Sequence, residues 1–103
     1  MGLDYAIDEL YATGWSPLNS AGCEHAPDGR AYPGEARVQE EFARAGHSLS
    51  IRYVSLFDCH RAEWCDAGGA VVGSVVGSTK TEATVYALAQ LRRLTVGAAG
   101  SNA

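Results

Sequence analysis

The hydrophobic period changes twice between residues 35 and 94, and this double change restricts the possible folds more than any other feature. Val38, Phe42 and Ala45 recur at helical spacing, with Glu40, Glu41 and Arg44 on the polar side and Gly46 as terminator. From Leu49 the period falls to two. Leu49, Ile51 and Tyr53 alternate with Ser50 and Arg52, and aromatic and branched residues dominate as far as Phe57. A second alternation runs from Cys59 to Cys65, setting Ala62 and Trp64 against Arg61 and Glu63. Asp66-Ala67-Gly68-Gly69 reads as a hairpin turn. Val71, Val72, Val75 and Val76 then form a third strand, in which Gly73 marks a bulge or a close backbone approach. The helical period returns at Thr79-Lys80-Thr81-Glu82, a capping box in which threonine takes an orphan amide and glutamate returns the bond. Behind it Ala83, Ala87, Leu88, Leu91 and Leu94 make a core stripe, and Arg92 and Arg93 complement the helix dipole.

The flanking residues add one element. Leu3, Ala6, Ile7, Leu10 and Tyr11 form an apolar strip over residues 3–13, with Asp4, Asp8 and Glu9 outside it and Gly14 as its end. Residues 15–34 contain Pro17, Pro27, Pro33 and the turn Asp28-Gly29-Arg30, and are expected to form a long loop. Trp15, Leu18 and Tyr32 would anchor that loop to the core. The expected organisation is an acidic helix and loop (1–34), a core (35–94) and a flexible tail (95–103). The fold class is α+β, ordered α-α-β-β-β-α, with a three-stranded antiparallel sheet and helices packed on one face. At 103 residues this is one domain.

Charge narrows the function. Residues 1–34 hold five acids against Arg30 alone and so carry the whole net charge of −4, while residues 35–103 balance. Neither part has the clustered basic surface that phosphate-backbone binding usually requires. No apolar run approaches the roughly 18 residues of a membrane span. Met1-Gly2-Leu3-Asp4 lacks the basic and apolar regions of a secretion signal. With three cysteines, an odd number, the expected compartment is the cytoplasm.

The chemistry-bearing residues are weakly arranged. Cys23, His25, His47, Cys59, His60 and Cys65 suggest zinc, but they offer Cys-x-His, adjacent Cys-His and Cys-x5-Cys instead of paired ligands at structural spacing. Cys59 and Cys65 share a strand face yet lie about 20 Å apart on a regular strand. Cys59, His60 and Asp58 are neighbours, whereas catalysis needs side chains that converge from separate places. The glycines match neither nucleotide-binding fingerprint. The expectation is a non-catalytic module with no metal, no cofactor and no small-molecule substrate.

The order helix, three-stranded meander, helix over residues 35–94 resembles the double-stranded-RNA-binding domain. So does the passage of the third strand directly into the last helix at Val76-Gly77-Ser78-Thr79-Lys80-Thr81-Glu82-Ala83. The resemblance implies duplex-RNA contacts from a lysine cluster that falls on Lys80, Thr81 and Thr84, of which only Lys80 is basic. It also implies a minor-groove loop represented by His60, and first-helix contacts from Gln39 and Glu40, with Arg37 extending any basic stripe. Duplex RNA is therefore the alternative function. The leading expectation is that the scaffold serves protein contact or a homodimer.

One surplus feature supports that order. The last helix bears a second apolar strip, Val85, Tyr86 and Ala89, beyond what one core needs. Either the N-terminal strip of Leu3, Ile7 and Leu10 covers it, or a partner chain does.

Overall fold

The computed structural model describes residues 2–17 and 22–101, with side chains through residue 94. Along them run α1 (Leu3–Ala12), β1 (Cys23–His25), β2 (Ala31–Pro33), α2 (Glu35–Arg44), β3 (Ser48–Val54), β4 (Cys59–Cys65), β5 (Val71–Gly77) and α3 (Lys80–Ser101). The protein is α+β, with three helices and two antiparallel sheets, β1-β2 and β3-β4-β5.

The β1-β2 hairpin corrects the expected order, which had a loop there. It pairs Cys23 with Pro33, Glu24 with Tyr32 and His25 with Ala31. Strands of three residues are too short to display alternation, and Pro33 argues against a strand unless it lies at an edge. The hairpin is tied down by Tyr32 and Pro33, both buried, and by the Tyr11 hydroxyl, which donates to the Ala31 carbonyl at 2.6 Å. Trp15 is buried as expected, whereas Leu18 lies outside the described residues.

The meander follows its period. Leu49 pairs with Trp64 and Ile51 with Ala62, while Ala62 and Trp64 face Val75 and Gly73 on the other side. Leu49, Ala62 and Trp64 are buried on this face, and Phe42 of α2 meets the Trp64 ring edge-on at 5.4 Å. Val38 and Phe42 are the buried residues of α2; Ala45, past the helix end, is exposed. On the opposite sheet face Glu63 pairs with Arg52 at 3.4 Å and Arg61 at 3.3 Å. Gly73 is the close backbone approach, and the bulge falls beside it, leaving Val72 between the pairs Trp64–Gly73 and Cys65–Val71. The register shifts between Trp64 and Cys65, and a Cβ on Gly73 would lie 2.2 Å from the Trp64 ring.

The start of α3 departs from the capping box in one bond. The Glu82 N–H donates to Thr79 Oγ1 at 3.1 Å, as expected. Glu82 Oε1, however, accepts from the Ser78 N–H at 3.1 Å and the Ser78 hydroxyl at 2.6 Å, one residue earlier than the motif prescribes. Two donors on Ser78 outcompete the single one on Thr79. Farther along, Ala83, Ala87, Leu88 and Leu91 are buried, but Leu94 is 59% exposed. A 22-residue helix is about 33 Å long against about 23 Å for a seven-residue strand, so α3 outruns the sheet. It continues to Ser101, through residues expected to form a tail, because propagating an existing helix is far cheaper than nucleating one.

α1 lies along α3 and makes no comparable contact with the three-stranded sheet. Ala6, Ile7 and Leu10 are fully buried, as are Val85 and Ala89. Arg93 pairs with Glu9, and Arg92 Nε donates to Thr13 Oγ1 at 2.9 Å. The surplus strip of α3 is thus covered within the chain.

Most of the N-terminal acidity is gathered around one cation. Arg30 pairs with Asp8, with Asp28 at 2.8 Å and with Asp4 at 3.8 Å, stitching α1 to the β1-β2 turn. The Arg30 backbone N–H and guanidinium hold the Asp28 carboxyl below the usual carboxylate range. A lowered folded-state pKa contributes stability above the unfolded-state value and loses it as acid titrates through the folded one. In an NMR titration of the side-chain carboxyls, Arg30→Ala should move the Asp28 midpoint upward. An unmoved midpoint would show that the pair does not form in solution.

Candidate functional site

The residues that stand out on the surface are apolar and belong to one end and one edge of the three-stranded sheet. Leu56 and Phe57, in the β3-β4 turn, are 82% and 73% exposed. Val71, Val72 and Val76 of β5 are 57%, 47% and 54% exposed. Single exposed apolar residues are ordinary, so it is their grouping at one end and along one edge that makes these a candidate site.

The turn is held rather than loose. Phe57 and Asp58 donate backbone N–H groups to Val54 and Ser55 carbonyls, and Asp58 takes a left-handed conformation at φ 48°. The Tyr53 hydroxyl donates to Asp58 Oδ1 at 2.6 Å, and that bond raises the Tyr53 phenol above its ordinary pKa. Between this turn and the end of β5 lies a groove of about 340 Å³, lined by Phe57, Asp58, Cys59, Val76, Gly77, Ser78 and Glu82.

The edge itself is uncharged. β5 is the last strand in the order β3-β4-β5, and residues 67–79 contain no Asp, Glu, Lys, Arg or His. Edge strands usually carry charge or proline to discourage pairing with another chain. The opposite edge, β3, carries Arg52.

The residues expected to touch RNA do not come together as a free cationic face. Lys80 Nζ pairs with Glu35 Oε1 at 3.3 Å. Arg37 donates to Cys23 Sγ at 3.0 Å, sits 5.4 Å over the Trp15 ring and lies 3.7 Å from Glu41. Arg44 pairs with Glu40 at 3.3 Å. Gln39 is half-buried on α2, and His60 packs against the Tyr53 ring at 5.3 Å. Arg37 and Arg44 do share a cleft with Arg92, near Gly14, Trp15 and Ser16, but Glu41 lines it too.

Of the two covers expected for the surplus strip named as a candidate interaction face, the structure shows α1. Val85, Ala89, Ile7 and Leu10 are fully buried, and Leu3 and Tyr86 pack against the same core. Tyr86 meets Tyr5 edge-on at 5.7 Å. They join α1 to α3, with Leu3 and Tyr86 partly exposed at its margin. Cys23, Cys59 and Cys65 are free thiols, and among the described residues no three His, Cys, Asp or Glu side chains could hold a metal ion. Asp58 is engaged by Tyr53, while Cys59 and His60 alternate along β4. Among the described residues no helix is long and apolar enough to cross a membrane.

Two signals for the exposed group were present in the chain. Leu56-Phe57 puts large apolar residues where a turn between strands calls for polar ones, and thirteen consecutive residues around β5 lack charge. Compared with protein-family models, curated proteins and solved structures, the chain matches none.

Proposed function

We propose that residues 35–94 form a scaffold similar to the double-stranded-RNA-binding domain, used for protein contact or self-association and not for catalysis. The exposed apolar group of Leu56, Phe57, Val71, Val72 and Val76 carries this reading. Apolar surface drives protein association, whereas duplex RNA is held chiefly through phosphates and 2′-hydroxyls by cationic and polar side chains. Lys80, Arg37 and Arg44 already have carboxylate partners. RNA would have to displace those partners before it gained from counterion release.

A photo-crosslinking residue placed at Phe57 tests the proposal, with the same residue at exposed Arg44 as control. The expected adducts at residue 57 are polypeptide, either this chain or another, and they should be scarce at residue 44. Nucleic-acid adducts would favour the RNA alternative, and the absence of polypeptide adducts would remove the reading. Duplex RNA of about 16 bp, the span of one such domain, should bind only non-specifically, at roughly 10⁻⁴ to 10⁻⁶ M by analogy with non-specific DNA binding. Submicromolar affinity lost in Lys80→Ala would reverse the ranking.

A further inference from the structure

We infer that the partner of the β5 edge is a second copy of this chain, joined by antiparallel β5-β5 pairing into a continuous six-stranded sheet. The inference rests on the proposed binding role and specifies its partner.

An edge strand leaves one row of backbone N–H and C=O groups unpaired, ready for another strand. What can pair there depends on the side chains brought opposite one another. Antiparallel pairing of Val71–Gly77 with itself, in full overlap, puts Ser74 opposite Ser74 on the twofold axis. Val72 then faces Val76 of the copy, and Val76 faces its Val72. Val71, Val72, Ser74 and Val76 are exposed, while Gly73, Val75 and Gly77 are more buried. Val72, Ser74 and Val76 therefore meet as two valine pairs around a serine pair, and β-branched cross-strand pairs stabilise a sheet. Self-pairing brings any charge on a strand close to the same charge on its copy. Residues 67–79 carry none, so that cost is absent.

The two ends of the strand are also complementary. Its C-terminal end borders the groove, where Phe57, Cys59, Val76 and Gly77 lie beside Asp58, Ser78 and Glu82. Its N-terminal end carries exposed Val71 and Val72. In the paired arrangement Gly77 lies opposite Val71 of the copy, so each groove meets the other chain's two valines. A single contact repeated by the twofold axis closes the assembly as a dimer. The register shift near Trp64 lies at the start of β5 and leaves residues 73–77 in regular pairing with β4.

Sedimentation equilibrium of the full chain across micromolar concentrations should give a dimer mass. Ser74→Lys places two ammonium groups face to face and should give the monomer mass with an unchanged circular dichroism spectrum. Leu94→Lys, an exposed position on α3, should leave the dimer intact. Directly opposed residues have Cα atoms about 4.5–5.5 Å apart, within the range of a disulfide. Ser74→Cys should therefore yield, on mild oxidation, a disulfide between the two introduced thiols, identified by peptide mapping. A monomer mass for the parent chain at every concentration, a dimer that survives Ser74→Lys, or introduced thiols that stay unlinked would overturn self-pairing. If the parent is monomeric while residue 57 forms adducts with a different protein, self-pairing fails and the binding role stands. If no polypeptide adduct forms, both fail.

Discussion

Gly73→Ala is expected to cost at least about 3 kcal/mol, at the upper end of what overpacking a core usually does. The new methyl carbon would lie 2.2 Å from Trp64 Cζ2 and 2.3 Å from Cε2, well inside van der Waals contact. Trp64 cannot yield cheaply. It is 2% exposed, meets Phe42 edge-on and belongs to the central strand of the sheet. Adding Trp64→Phe removes much of the indole that the methyl strikes, so the double variant should lose less than the sum of the two single losses. Urea denaturation of the three variants measures this. A Gly73→Ala stability within about 0.5 kcal/mol of the parent, the range of an indifferent surface change, would show that the tryptophan has somewhere to go.

Deleting residues 1–13 should be comparably damaging. Ile7 and Leu10 are fully buried, and burying a side chain of that size contributes roughly 1.5–3 kcal/mol. Removing both also strips the cover from Val85 and Ala89, for a loss of several kcal/mol against a total stability of about 5–15 kcal/mol. The truncated chain should show a lower melting temperature, stronger binding of an apolar dye and poorer solubility. Retention of the parent's melting temperature and solubility would mean that α1 is dispensable. Tyr86→Glu should act in the same direction but more mildly, since Tyr86 is only partly buried against the core.

How far the chain could be read depended on how local each determinant was. The alternation of Leu49, Ile51, Ala62 and Trp64 was visible because strand period alone separates core face from water. The extra strip of Val85, Tyr86 and Ala89 was visible too, and so was α1 as one possible cover. Choosing between α1 and a partner chain required knowing where α1 lies. The β1-β2 hairpin was hidden because three residues per strand give period no room to appear. The exposed apolar group was hidden for a different reason. Val72 and Val76 look like ordinary strand residues until the strand order shows that, among the described residues, no strand pairs beyond β5. Lys80 attracted attention as a cation in a familiar place, but its pairing with Glu35 depends on how α2 and α3 approach each other. Periodicity reports which way a residue points, and strand order and helix approach decide what it meets.

The joining of α1 to α3 also has a consequence for how the protein is made. Glu9 and Arg93, which pair across that contact, are 84 residues apart in sequence. At about 5–20 residues per second, the ribosome needs roughly 4–17 s to travel from one to the other. Until α3 is made, the apolar strip of α1 lacks the helix that covers it. Asp4, Asp8 and Glu9 lie outside the strip, and before they find Arg30 and Arg93 they keep a nascent amphipathic segment hydrated and mutually repelling. The same acids that later lock the helix down keep it soluble while it waits. Among the described helices, the first to be synthesised is covered by the last.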